Sequence, residues 1–168
     1  MFRIARWRLG CKIEMTERCS LTCADVMTKD PACCELGDNA ASAAKIMKDQ
    51  DVGSVPVCLD LRTRKLVGIV TDRDIAVYLV AKDRDARTTQ VASVMTRNPL
   101  TCRPEDDVEL ALDAMETYQV RRIPVVDDDG QLVGIISMAD VATRTETAAE
   151  KKAEMVEQLS RPAPPSAA

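Results

Sequence analysis

Gly68-Ile69-Val70-Thr71-Asp72-Arg73-Asp74 returns 66 residues later as Gly134-Ile135-Ile136-Ser137-Met138-Ala139-Asp140. The glycine, the apolar pair, the hydroxyl and the final carboxylate keep their places in both copies. Each copy reads as a buried strand that runs directly into a helix. The strands are predicted by Leu66, Val67, Ile69 and Val70 and by Leu132, Val133, Ile135 and Ile136, runs rich in β-branched residues and entered from a hairpin. Thr71 and Ser137 mark the helix starts. Each stands three residues before an Asp, the spacing at which a hydroxyl accepts from an orphan amide and a carboxylate adds negative charge at the positive helix end. A capping pair is the plainest meaning of that spacing. A strand emptying onto a helix N-terminus also gathers amides, a hydroxyl and a carboxylate at one rim, which suits a phosphate and a ribose diol.

Outward from this stretch the repeat widens. Val26-Met27-Thr28 stands 68 residues before Val94-Met95-Thr96, and the same shift lays Pro31 on Pro99, Cys34 on Cys102, Met47 on Met115 and Pro56 on Pro124. The shift drops to 66 inside the hairpin, where Asp128-Asp129-Gly130 predicts a tight turn and residues 60–65 a looser one. Within each copy the predicted order is a short extended piece after the Pro, a helix, a strand, a hairpin, a strand and a second helix. Asp106 is the expected cap of the first helix in the second copy, with Val108, Ala111, Leu112 and Met115 as its apolar stripe. In the first copy Asp38 takes the cap and Ala40, Ala43, Ala44 and Met47 the stripe, a set of smaller residues that implies closer packing. The strands from Val52 to Leu59 and from Val120 to Val126 each carry a proline near the start. The closing helices are predicted from about Asp72 to Val80 and from Met138 to about Thr145. The fold class is therefore α/β (α+β). Residues 1–22 form a basic leader, poorly ordered or partner-bound; 23–82 are the first repeat, 83–90 a polar linker and 91–147 the second repeat. Residues 148–168 read as a helix followed by a disordered Pro/Ala tail.

Composition narrows the chemistry. The chain of 168 residues has no histidine, which removes the commonest general base and the commonest metal ligand together. A P-loop and a GxSxG elbow are also missing, and the carboxylates recur once per repeat instead of gathering in one place, so an enzyme is disfavoured. The net charge of -4 and the four aromatic residues (one Trp, one Phe, two Tyr) give no footprint for nucleic acid. No run reaches transmembrane length, and the expected location is cytoplasmic. The seven cysteines are odd in number and read chiefly as reduced thiols acting as small hydrophobes. Cys19, Cys23, Cys33 and Cys34 are the candidates for a redox or metal site, although their spacing matches no regular four-ligand pattern.

Laid out in this order, the chain resembles the CBS domain family over about Ala24 to Thr145, specifically a stand-alone tandem pair, or Bateman module. The features that carry the resemblance are Val-Met-Thr followed by Pro, an amphipathic helix, the strand starts Val55-Pro56-Val57 and Ile123-Pro124-Val125, and the closing G-h-h-[ST]-x-x-D, all present twice in order. The resemblance implies two βαββα repeats packed sheet to sheet about a pseudo-twofold axis, with two clefts between them and further association into a homodimer. It also implies a regulatory sensor that needs no cofactor and binds an adenosine-containing ligand in the clefts, such as AMP, ADP, ATP or S-adenosylmethionine, passing a packing change to a partner protein or to the dimer. Carried over by position, Thr71 and Ser137 meet phosphate oxygens, Asp74 and Asp140 accept from ribose hydroxyls, and Val55, Pro56, Val57, Ile123, Pro124 and Val125 wall the adenine. Arg121 and Arg122 stand where the first copy has Gly53 and Ser54, and the first copy offers Arg73 instead. The arginine pair predicts a preference for phosphorylated ligands, and tighter binding, at the site of Ser137 and Asp140. The competing reading is a cysteine-based redox or metal-responsive module whose clefts stay empty.

Overall fold

The computed structural model describes residues 21–144. The expected leader up to residue 20 and the expected C-terminal helix and tail lie outside them. In chain order the elements are α1 (Cys23–Val26), β1 (Thr28–Lys29), β2 (Cys34–Glu35), α2 (Ala40–Asp49), β3 (Ser54–Cys58), β4 (Leu66–Thr71) and α3 (Asp72–Leu79). The second copy follows with β5 (Thr96–Arg97), α4 (Val108–Tyr118), β6 (Arg122–Val126), β7 (Leu132–Ser137) and α5 (Met138–Arg144). The α/β class and the doubled order agree with the repeat in the sequence. None of the helices is long and apolar enough to cross a membrane among the described residues.

Two expected caps move by one residue. Asn39, not Asp38, caps α2 by accepting from the Ser42 amide, and Asp107, not Asp106, caps α4 by accepting from the Glu109 amide. The displaced carboxylates brace the approach to each helix instead: Asp38 Oδ2 accepts from the Glu35 amide at 2.9 Å and Asp106 Oδ2 from the Arg103 amide at 2.7 Å. Side chains of this kind compete for backbone donors on either side, so the cap goes to whichever residue the incoming chain leaves extended.

The opening segments change places. β1 pairs antiparallel with β7 of the second copy, while β5 pairs antiparallel with β4 of the first. One sheet therefore has the order β1-β7-β6 and the other β2-β3-β4-β5. The cores follow the same exchange. Cys23, Val26 and Met27 are buried with Val108, Leu112, Met115, Ile123 and Ile136, whereas Val91, Val94 and Met95 are buried with Ala40, Ala43, Val55, Val57 and Val70. The chain crosses between sheets at Asp30-Pro31 and at Asn98-Pro99, where Asp30 and Asn98 share a φ of 47°. Asp and Asn tolerate that left-handed geometry better than other side chains, and the following proline prevents a helix from continuing.

The two glycines of the repeated motif make the exchange sterically possible. A Cβ on Gly68 would lie 2.9 Å from the Thr96 carbonyl oxygen and 2.5 Å from Met95 Sδ, and one on Gly134 would lie 2.9 Å from Met27 Cγ. Between the sheets, Cys58 and Leu66 of the first hairpin pack with Val126 and Leu132 of the second. The hairpins also bond backbone to backbone: the Leu66 amide donates to the Gly130 carbonyl at 3.1 Å, and the Leu132 amide to the Arg64 carbonyl at 2.9 Å. The halves thus meet sheet to sheet about a pseudo-twofold axis.

Gly68→Ala is expected to cost about 1–3 kcal/mol, because a backbone oxygen of the exchanged strand cannot yield as a flexible side chain can. Chemical denaturation of the variant and the parent measures it; an unchanged midpoint would mean that the exchanged strand is not closely seated.

Candidate functional site

At each strand-to-helix corner the hydroxyl and the carboxylate close on one another. Thr71 Oγ1 donates to Asp74 Oδ2 at 2.8 Å and accepts from the Asp74 amide at 3.1 Å, while the Thr71 amide donates to Asp74 Oδ2 at 2.9 Å. Ser137 repeats this with Asp140 at 2.5, 3.2 and 2.8 Å. The first meaning of the motif is therefore mechanical: it starts α3 and α5. Thr22 and Asp25 make the same box at α1, and the Thr22 hydroxyl and amide bonds hold the exposed Asp25 carboxyl below the usual carboxylate range. A box of this type carries no ligand signal by itself.

What distinguishes the first-repeat corner lies around its box. Ser54 faces Thr71 across the β3–β4 ladder, so the two side chains share one face of the sheet. Ser54 is 5 % exposed, and its hydroxyl has no hydrogen-bond partner among the described residues. An orphaned buried hydroxyl costs about 1–3 kcal/mol. Immediately before it, the bare Gly53 leaves room for two charged groups: a Cβ there would lie 3.1 Å from Asp72 Oδ2 and 3.3 Å from Arg122 Nη2. The Gly53 carbonyl also accepts from the Asp72 amide at 3.2 Å. The corner thus collects an unsatisfied hydroxyl, the N-terminus of α3, the carboxylate of Asp72 and a guanidinium from the other repeat.

The sequence pairs Arg121 and Arg122 with the corner of Ser137 and Asp140. The Arg122 backbone is beside Ser137 in the β6–β7 ladder, but its guanidinium reaches Gly53 and Asp72 of the first repeat. Arg121 is exposed, and its carbonyl accepts from the Met138 amide at 3.3 Å. Arg73 is exposed on the first turn of α3. At the second corner Asp140 has a further partner, because Thr28 Oγ1 of the exchanged segment donates to its Oδ1 at 3.3 Å.

The expected adenine wall is set back from solvent. Val55, Pro56 and Val57, like Ile123, Pro124 and Val125, are fully buried; the valines and Ile123 belong to the two cores, where strand alternation aims them at the helices. They support the corners from behind. Ser54, Asp72 and Thr28 were not singled out from the sequence. The alignment that sets Ser54 opposite Arg122 held a signal for the first, since a lone serine in a buried apolar strand needs a partner. Of the four cysteines considered for metal or redox chemistry, Cys23 and Cys34 lie in opposite cores, and Cys19 lies outside the described residues. Among the described residues no group of three or more His, Cys, Asp or Glu side chains is arranged to hold a metal ion.

Comparison with known proteins agrees with this architecture. The CBS domain model matches residues 23–81 and 91–145. The uncharacterized protein YlbB of Bacillus subtilis is 36% identical over 123 residues, covering 73% of this chain and 81% of that protein. The crystal structure of the CBS domain pair of protein MJ0100, in complex with 5'-methylthioadenosine and S-adenosyl-L-methionine, superposes with a TM-score of 0.66 at 29% identity, over 74% of this chain and 94% of that one. CBSX2 in complex with AMP superposes with a TM-score of 0.63 at 26% identity, over 73% and 94% of the two chains.

Ser54→Ala is expected to leave the stability of the ligand-free protein unchanged or to raise it by about 1 kcal/mol, because it removes an unpaired buried dipole and almost no packing. A lowered denaturation midpoint would show that the hydroxyl has a structural partner.

Proposed function

The chain belongs to the CBS domain family, and on that footing we propose that it is a non-enzymatic regulatory module that binds an adenosine-containing ligand at the corners between its repeats. The observation that carries this reading is the buried Ser54 hydroxyl beside Thr71, unpartnered among the described residues, with the Arg122 guanidinium arriving from the second repeat. A phosphate oxygen at this place would accept from Ser54 and from Arg122 at once. Asp74 spends Oδ2 on the cap, leaving Oδ1 as the acceptor for a ribose hydroxyl. The solved relatives with bound AMP, or with methylthioadenosine and S-adenosylmethionine, support the ligand class.

The first-repeat corner is the better phosphate seat, reversing the preference read from the arginine pair alone. It also supplies a means of transmission. Arg122 belongs to one repeat and the ligand's other contacts to the opposite one, so a bound phosphate favours the arrangement in which the repeats close on each other. The reader of that change is a second copy of the chain in a homodimer, or a regulated protein.

Calorimetry with AMP and adenosine tests the seat. Arg122→Ala should weaken AMP about tenfold and adenosine little, in line with the loss of one charged hydrogen bond. Asp72→Asn should strengthen AMP by removing a like charge. Equal losses for AMP and adenosine would remove the phosphate role of Arg122. If AMP, ADP, ATP and S-adenosylmethionine all fail to raise the melting temperature at millimolar concentration, the ligand class itself is wrong.

A further inference from the structure

Two thiols meet at the seam between the repeats. Cys33 precedes β2, and Cys58 ends β3, the strand with which β2 pairs. Cys33 packs against the apolar cluster that contains Cys58, and each thiol shifts the acidity of the other. Both belong to the small apolar cluster that joins the hairpins, with Leu66 on one side and Val126 and Leu132 on the other; Cys58 is fully buried and Cys33 partly exposed. Arg64 is fixed over this place, since its Nη2 donates to the Pro31 carbonyl at 2.9 Å and its Nε to the Leu132 carbonyl at 3.3 Å. The structure therefore holds a solvent-reachable thiol, a buried thiol in contact with it, and a fixed positive charge beside both.

We propose that Cys33 and Cys58 are a reversible redox couple, in which a hydroperoxide oxidises Cys33 and Cys58 resolves it to a disulfide that fastens the seam. The Cys33 thiolate attacks the terminal peroxide oxygen; the O–O bond breaks, Cys33 becomes a sulfenic acid, and the peroxide's other oxygen leaves with a proton as water or an alcohol. Cys58 sulfur then attacks Cys33 sulfur. The S–S bond forms, the S–OH bond breaks, and the Cys58 proton leaves with the hydroxide as water. The two sulfurs have given two electrons to the peroxide, and a small thiol reductant reverses the change by exchange.

The surroundings assign the roles. The adjacent Cys58 thiol and the charge of Arg64 hold the Cys33 thiol down at about 7, against burial and the nearby carboxylate of Glu35. Cys33, together with burial, pushes Cys58 up, as suits a resolving thiol that reacts second. Cys34, beside the pair in sequence, is pushed up to about 12 by burial and by Asp38. A second thiol contact, Cys23 with Cys102, is the internal control. It lies in a core with Asp106 nearby, and Cys102 is pushed up by the Cys23 thiol and by burial. It should stay reduced. The couple does not depend on the ligand reading, because its atoms lie at the hairpins and not at the helix corners.

The full chain, reduced and freed of reductant, is treated with stoichiometric hydrogen peroxide and digested without reduction. The expected product is a cross-linked peptide pair joining Cys33 to Cys58, lighter by two hydrogens and undone by dithiothreitol. Timed iodoacetamide labelling of the untreated protein at pH 7 should modify Cys33 about tenfold faster than Cys34 or Cys102, following thiolate fraction and access; this requires no variant to fold. Cys58→Ser should leave a Cys33 sulfenic acid that dimedone captures, and Cys33→Ser should leave Cys58 reduced. The proposal is overturned if Cys33 labels no faster than Cys34 or Cys102, or if peroxide joins Cys33 to another cysteine. It is equally overturned if Cys23 and Cys102 oxidise first.

Discussion

Everything in this molecule depends on the closeness with which each opening segment lies against the glycine of the other repeat's closing strand. At Gly68 the Thr96 carbonyl and the Met95 side chain occupy the space a methyl would need, and at Gly134 the Met27 side chain does the same. Because each opening segment completes the opposite sheet and the opposite core, neither repeat is a self-sufficient packing unit. The halves are held by exchanged apolar surface as well as by contact, so their separation would open both cores at once. That constraint fixes the relative placement of the two corners, and the candidate site inherits its geometry from it.

The repeated backbone is close to symmetric while the side chains at the axis are not. Left-handed residues recur at equivalent places: Asp30 with Asn98, Asp51 with Gln119, and Arg64 with Gly130. Yet Ser54 on one side answers to Arg122 on the other, and Asp72 to Met138. Duplication supplies two corners with the same capping box, and divergence at a few positions makes one of them a polar, incompletely satisfied place. The box itself is common to α1, α3 and α5 in this chain, which separates what starts a helix from what recruits a ligand.

Arg64 ties the opening segment to the seam between the hairpins. It takes a left-handed conformation where the second repeat has glycine, with φ of 50° against 78° at Gly130. Its side chain compensates by donating to carbonyls of the opening segment and of the second hairpin. The same placement puts a cation beside the Cys33 thiol. A residue that costs the backbone strain thereby ties three segments together and conditions the only partly exposed thiol of that cluster.

Legible in the sequence alone were the longer strands and helices, their doubled order and the starts of α3 and α5. Each of these follows from interactions within a few residues: β-branched runs, apolar stripes at helical spacing, and a hydroxyl three residues before a carboxylate. The sequence also determined the residue types at the corners. Only the tertiary structure decided which sheet each two-residue opening strand joins, because both sheets present the same glycine-centred edge and nothing local tells them apart. It likewise decided that Asn39 and Asp107 take the caps, that the Arg122 side chain reaches the opposite corner, that the strand valines face the cores, and that Cys33 packs against the cluster of Cys58. All of these depend on which chain segments approach from a distance, and a sequence repeated nearly unchanged leaves that choice to the packing of the whole.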